Sequence, residues 1–132
     1  MSDTKQQVFS GSPYESTYGF SRATRVGDRI LAAGTAPIWS DGTCPDDAAT
    51  QAARCFEIIL EAIGELGATA ADVVRTRMFL TDSADADAVG RVHGDLFAEA
   101  RPVATMVVVA GLLRPEWRVE IEAEAIVHGG RS

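Results

Sequence analysis

Acidic side chains at alternate positions near the C-terminus are the feature of this sequence best suited to chemistry. Glu120, Glu122 and Glu124 alternate with apolar residues, which places them together on one face of a strand. A positioned carboxylate can take up and return a proton, as general acid/base catalysis requires. The alternative is that the three only form a polar face, paired with Arg75 and Arg77 of a neighbouring strand or of another subunit.

Other reactive side chains are few. His93 lies on the apolar face of a predicted helix, where a histidine is more often a packed core residue than a base, although it titrates near neutral pH. His128 is expected to be solvated in the tail. Cys44 and Cys55 can form at most one bridge, and we interpret them as free thiols. Because no metal-ligand spacing or phosphate-binding loop is present, we predict no metal and no cofactor.

The composition is that of an ordinary globular protein. The 132 residues are 46% hydrophobic and 23% charged, which predicts a single domain over residues 1–132. The formal charge of −7 opposes binding to nucleic acid or to a membrane surface, because both need clustered basic residues. Residues 1–7 are polar and expected to be frayed, and no signal or membrane-spanning run is present, so we expect a cytoplasmic protein.

Hydrophobic periodicity predicts an α+β fold in the order ββαβαββ, with two helices on one face of a mixed sheet. A separate short strand is predicted at residues 8–10. The main elements are predicted at residues 21–26, 29–35, 46–66, 73–81, 85–99, 105–109 and 119–127. The last two are expected to form a hairpin, and Gly27-Asp28 the turn of the first one. The second sheet face is expected to carry apolar side chains that need a partner surface: Met78, Leu80, Met106 and Val108.

Four segments in the same order resemble the Rid/YjgF family of imine and enamine deaminases. They are Arg25-Val-Gly-Asp-Arg-Ile-Leu-Ala-Ala-Gly34-Thr-Ala-Pro, Gln51-Ala-Ala-Arg-Cys-Phe, Asp72-Val-Val-Arg-Thr-Arg-Met-Phe-Leu-Thr-Asp82 and Val119-Glu-Ile-Glu-Ala. The resemblance covers residues 12–127. It implies a chorismate-mutase-like fold and a homotrimer with a small-molecule cleft between neighbouring subunits.

The same resemblance implies a set of site residues. Glu120 matches the carboxylate that holds the attacking water in family deaminases. The implied cleft lining is Phe20, Gly34, Ala104 and Met106, with Gly90 or Arg91 nearby. Arg77 and His93 are further candidates for substrate binding, His93 because its helix borders the family cleft. Three positions depart from the deaminase pattern, because Phe20 lacks a hydroxyl, Gly90 replaces an asparagine and Ala104 replaces the arginine that grips the substrate carboxylate. The arginines available to replace that group are Arg22, Arg77, Arg91 and Arg101, with Arg77 the first choice.

These residues leave three functions open. The first is hydrolysis or deamination of an imine or enamine other than 2-aminoacrylate, with Glu120 positioning water. The second is a non-catalytic binding or regulatory trimer, which the loss of the arginine at Ala104 favours. The third is a cyclisation or tautomerisation in a biosynthetic pathway. Family relatives are sometimes labelled endoribonucleases, and the acidic composition does not support that activity.

Overall fold

The computed structural model describes residues 4–127, which build one six-stranded mixed sheet. The strand order across the sheet is β1-β2-β3-β6-β4-β5. All neighbouring strands are antiparallel except β4 and β5, which are parallel. Two long helices cover one face, which confirms the α+β fold with two helices on one side of a mixed sheet.

The N-terminal part contains two short elements that periodicity did not resolve. Strand β1 (Gln6–Val8) pairs with β2 (Ala23–Val26), so the expectation that residues 1–7 are frayed is wrong at Gln6 and Gln7. The strand predicted at residues 8–10 is displaced toward the N-terminus. Helix α1 (Pro13–Tyr18) occupies a segment predicted as a loop, with Ser12 capping its N-terminus. Strand β3 (Arg29–Thr35) pairs with β2, which confirms the first hairpin.

Helix α2 (Ala48–Glu65) packs across the centre of the sheet. The Asp47 carboxylate caps its N-terminus by accepting a hydrogen bond from the Thr50 amide, so the helix begins at Ala48 and not at the predicted residue 46. Apolar residues recur along it at helical spacing and form one buried stripe: Ala52, Cys55, Phe56, Ile59, Ile63 and Leu66. The opposite face is exposed and carries Glu57, Glu61 and Glu65.

The C-terminal half contains a parallel crossover in place of the expected hairpin. Strand β4 (Val73–Leu80), helix α3 (Ala86–Leu96) and β5 (Val103–Val108) form a strand–helix–strand unit, and β6 (Val119–Ile126) then inserts between β3 and β4. The predicted pairing of β5 with β6 is therefore wrong. A helical connection returns the chain in its original direction, so β5 lies parallel to β4 at the free edge of the sheet.

Strand alternation divides the sheet into a core face and an outer face. On β6, Val119, Ile121 and Ala123 point toward the helices, and the glutamates between them point outward. Met78 and Leu80 are buried on the core face, and the register aligns Met106 and Val108 of β5 with them. The expectation that these four residues lie on the second face is wrong. Side chains alternate between the two faces along each strand, and these four occupy the positions that face the helices. The outer face instead exposes Leu31, Val103 and Val107, among others.

Candidate functional site

The three glutamates of β6 all lie on the outer face, but their surroundings differ. Glu122 accepts a hydrogen bond from Arg77 at 2.8 Å, and Glu124 lies 2.7 Å from Arg29. Arg75 also approaches Glu124, at 3.3 Å. The polar-face interpretation therefore describes Glu122 and Glu124. Glu120 faces Phe79 across the strand pair, and among the described residues no basic side chain forms a salt bridge with it.

The Glu120 carboxylate is half-buried against the backbone of Gly34. A Cβ atom at residue 34 would lie 2.5 Å from Glu120 Oε2, so only glycine allows this approach. The β3–β6 register shifts between Ala32 and Thr35, which is the irregularity that contains Gly34. Burial raises the pKa of Glu120, the nearby Arg22 charge opposes that effect, and the charge of Glu122 adds to it.

Glu120 and Gly34 line a cavity of about 90 Å³. Most of its walls are aromatic or aliphatic: Tyr14, Tyr18, Phe20, Ala36, Ile38, Leu113 and Trp117. The other side chains that line it are Ser12, Arg22 and Thr35. A second cavity of about 280 Å³ shares Tyr14, Ile38 and Trp117 with the first. A single half-buried carboxylate thus lies in a mainly apolar pocket, and this combination of apolar walls with few polar groups is found in small-molecule sites.

Arg22 reaches this cavity as part of a buried ion pair. Its Nε donates to Glu15 Oε2 at 2.9 Å, and Nη1 donates to the Gly34 carbonyl at 2.8 Å and to Thr35 Oγ1 at 3.1 Å. Arg22 and Glu15 are only 6% and 4% exposed. Burial raises the pKa of Glu15, but hydrogen bonds from Ser10 and Arg22 outweigh it and leave the pKa below its usual value.

The other three arginines considered as replacements lie elsewhere in the chain. Arg77 is paired with Glu122 on the outer face, and Arg91 is an exposed α3 residue whose Nε donates to Asp87 at 2.8 Å. Arg101 is exposed in the connection to β5, with a φ of +47°. Within one chain, Arg22 is the candidate that shares the cavity with Glu120.

The remaining residues implied by the family resemblance lie on the opposite side of the sheet from Glu120. Ala104 and Met106 align with core-face positions of β4, and Gly90 of α3 approaches the Met106 Cε. His93 Nε2 lies 2.8 Å from Thr76 Oγ1, and its ring packs 4.8 Å from Phe97. Burial lowers the pKa of His93, which favours the neutral imidazole. One chain therefore brings together Phe20, Gly34 and Glu120, but not the residues of α3 and β5.

Several cavity residues were not among the predicted site residues. Tyr14 and Tyr18 come from α1, which is too short to give a periodic signal, and Trp117 comes from the segment before β6. Trp117 is buried, with its ring 6.2 Å from that of Tyr14. Within the chain it therefore packs beside the cavity. The Glu15–Arg22 pair was also missed, since only folding brings the connection between α1 and β2 back beside the helix.

The described residues offer no cluster suited to a metal. Between residues 4 and 127, no three His, Cys, Asp or Glu side chains are grouped closely enough to hold an ion. Cys55 is buried and Cys44 partly so, and both are free thiols. In the same part of the chain, no helix has the length and apolar character needed to cross a membrane. His128 lies outside the described residues.

Comparison with known proteins assigns the chain to a family. Residues 11–127 match the family described as Endoribonuclease L-PSP, so the chain belongs to this family, which is also called YjgF/RidA. An uncharacterised protein of Streptomyces coelicolor is 42% identical, with 94% of this chain and 93% of that protein aligned. The 3-aminoacrylate deaminase RutC of Acinetobacter baylyi is 32% identical, over 80% and 84% of the two chains.

Solved structures agree with this assignment. The protein Rv2704 of Mycobacterium tuberculosis, a member of the YjgF/YER057c/UK114 family, superposes with a TM-score of 0.87 at 44% identity. The alignment covers 94% of this chain and all of that one. The Escherichia coli YjgF protein superposes with a TM-score of 0.76 at 26% identity, over 83% of this chain and 88% of its own.

Proposed function

We propose that this protein hydrolyses an imine or enamine metabolite other than 2-aminoacrylate, with Glu120 positioning and activating water. The observation that carries the proposal is the difference between Glu120 and its strand neighbours. Glu122 and Glu124 are bound to arginines, whereas Glu120 lies in a mainly apolar cavity and forms no such pair with any residue between 4 and 127. Burying a carboxylate there costs stability, and such costs are characteristic of functional sites.

The reaction needs one group that both accepts and returns a proton. The water oxygen bonds to the imine carbon while the C=N π electrons move to nitrogen. Glu120 accepts the proton that the water releases and passes it to that nitrogen. These steps give a carbinolamine. Glu120 then takes the proton of its hydroxyl group and passes it to the nitrogen, so that the C=O bond forms as the C–N bond breaks and ammonia leaves a ketone or aldehyde behind. Burial raises the pKa of Glu120, which makes it a better proton acceptor than an exposed carboxylate.

We further propose that the site is completed by a neighbouring subunit in a homotrimer. The outer face exposes Val103 and Val107, which are 60% and 42% accessible, and β5 forms a free sheet edge. Exposed apolar surface of this kind favours association. Such an assembly would allow Ala104 and Met106 of one chain to approach Glu120 of another. Light scattering should give three times the 14.0 kDa chain mass, and a stable monomer would contradict the shared cleft.

Activity is tested with a panel of imines formed in situ from several amines and amino acids. The rate of ammonia release is measured above the uncatalysed rate for wild type, Glu120→Gln and Glu122→Gln. We expect Glu120→Gln to remove the acceleration and Glu122→Gln to retain it, because only the first side chain lines the cavity. Equal loss in both variants would indicate a general effect of the outer face and would oppose the proposal.

A non-catalytic binding or regulatory protein is the second candidate. Ala104 favours it, because the uncharged side chain cannot form the charge-assisted contact that the matching arginine provides. This candidate predicts that the wild type binds small molecules in the cavity without accelerating hydrolysis of any imine in the panel. Acceleration that depends on Glu120 would exclude it.

A further inference from the structure

The charges around the cavity indicate what kind of molecule fits it. Among the described residues that line it, Arg22 is the one basic side chain. Three of its donor hydrogens are already used, one by Glu15 and two by Gly34 and Thr35. Its charge is balanced by the Glu15 carboxylate at 2.9 Å. A ligand carboxylate would therefore meet no unpaired cation here, and it would lie near the negative charge of Glu120.

The aromatic side of the cavity, in contrast, favours a cation or an apolar group. We define the aromatic wall as Tyr14, Tyr18 and Trp117, with ring centroids 6.1 Å apart for Tyr14–Tyr18 and 6.2 Å for Tyr14–Trp117. The faces of aromatic rings attract cations and also bury apolar substituents. Tyr18 is 69% exposed and Leu113 is 75% exposed, so apolar surface at the rim is open to a ligand.

We propose that the substrate is an imine without a carboxylate, bound as its protonated iminium form and carrying an aromatic or bulky aliphatic substituent. The iminium nitrogen lies toward Glu120, and the substituent lies along the aromatic wall. This inference rests on the proposed function and deepens it by naming the substrate class. Imines of this class arise when a primary amine is oxidised, so an amine-oxidising reaction must supply the substrate.

The recognition step is tested by calorimetric binding of three stable probes that share a phenyl group. 2-Phenylethylamine carries only the cation, phenylalanine carries both charges, and 3-phenylpropionate carries only the carboxylate. We expect the amine to bind at least about tenfold more tightly than phenylalanine, and the acid more weakly still. Phenylalanine or the acid binding as tightly as the amine would overturn the inference, because it would reveal a free cation in the assembled site.

Variants connect this preference to the named residues. Glu120→Gln and Tyr14→Leu should each weaken amine binding by roughly tenfold. Glu122→Gln should leave it unchanged, since this matched glutamate is paired with Arg77 outside the cavity. Circular dichroism of each variant verifies folding. Amine affinity that is unchanged in both Glu120→Gln and Tyr14→Leu would overturn the inference.

A kinetic measurement separates this inference from the proposed function. Imines are formed in situ from 2-phenylethylamine by an amine oxidase and from phenylalanine by an amino-acid oxidase. Faster turnover of the imine without a carboxylate supports both claims. Glu120-dependent turnover that favours the carboxylated imine overturns the inference and leaves the proposed function in place. Selective amine binding without hydrolysis of either imine supports the preference for carboxylate-free cations and overturns the hydrolase.

Discussion

The Glu120 carboxylate lies so close to Gly34 that a Cβ atom at residue 34 would be 2.5 Å from Oε2. Arg22 contacts the same glycine from another direction, because its Nη1 donates to the Gly34 carbonyl. One backbone position thus lies against both the carboxylate and the guanidinium group of the cavity. The register shift between Ala32 and Thr35 in the β3–β6 pairing lies at this position.

Gly34→Ala should remove activity with little effect on folding. The added methyl group must displace the end of a flexible Glu120 side chain, so we expect the free energy of unfolding to change by less than about 1 kcal/mol. Displacing the carboxylate should lower kcat/KM by about a hundredfold. Gly64→Ala is the matched control, because the α2 position has open space and should retain activity. Normal turnover in Gly34→Ala would show that the carboxylate position is not important.

Glu15→Gln should destabilise the protein, because it leaves the buried Arg22 charge uncompensated. Denaturant unfolding should show a loss of about 3 kcal/mol. The exposed pair of Arg54 and Glu57 provides the control, since Glu57→Gln should cost less than about 1 kcal/mol. Folding lowers the pKa of Glu15, so its ionised form stabilises the folded state. This contribution to the free energy of unfolding is present above the usual carboxyl pKa and is lost as the pH falls through the lowered value. Similar losses in both variants would contradict the importance of the buried pair.

Glu120→Gln should stabilise the protein at neutral pH. Burial raises the pKa of Glu120, so the folded state disfavours the ionised carboxylate. Ionised Glu120 therefore lowers the free energy of unfolding, and this loss develops as the pH rises through the raised pKa. The charge of Arg22 opposes this rise in pKa, and the charge of Glu122 adds to it. The charge of Glu120 in turn helps to raise the pKa of the nearby buried Cys55 thiol. Thermal unfolding should show the gain at pH 7 and none at a pH below the usual carboxyl range. A variant less stable than wild type at pH 7 would contradict the raised pKa.

The pH profile provides a separate kinetic prediction. If ionised Glu120 accepts the proton from water, kcat/KM should fall as the pH decreases through its pKa. That midpoint should lie above the ordinary carboxyl value, because burial raises the pKa. In Glu122→Gln the midpoint should move down, since the charge of Glu122 helps to raise it. A profile without an acidic limb would exclude Glu120 as the base.

Ala104→Arg should enable hydrolysis of 2-aminoacrylate, which we expect the wild type to process weakly. Ala104 is exposed on β5, so the longer side chain fits without disturbing the core. A new bidentate contact to the substrate carboxylate should raise kcat/KM by about tenfold or more. Ala98→Arg adds the same charge at another exposed position and should give no gain. An equal gain from both substitutions would contradict the proposed cleft between subunits.

Sequence periodicity predicted those parts of the fold that depend on local patterns. The buried stripe of α2 and the outward alternation of Glu120, Glu122 and Glu124 follow directly from helix and strand geometry. The partner of β6 could not be predicted in this way, because insertion between β3 and β4 depends on the path of the α3 crossover. Met78 and Leu80 were assigned to the wrong face because both faces of their strand carry apolar residues. Alternation alone then does not show which face packs against the helices.

The candidate site was only partly predictable, for a similar reason. Glu120, Phe20 and Gly34 were identified by family resemblance and do lie together in the chain. Tyr14, Tyr18 and Trp117 come from a short helix and a loop, where no repeating pattern marks a functional face. The importance of Arg22 depends on its distance from Glu15, which only the folded chain defines.

The most direct test of the role of Glu120 is the rate at which the imine formed from 2-phenylethylamine is hydrolysed. This rate is compared between wild type and Glu120→Gln at equal protein concentration. Glu122→Gln is measured in parallel as the matched control on the same strand. Wild type and Glu122→Gln should release ammonia rapidly, and the rate for Glu120→Gln should be lower by at least about a hundredfold. Turnover by Glu120→Gln that equals the wild-type rate would contradict the central role of this carboxylate.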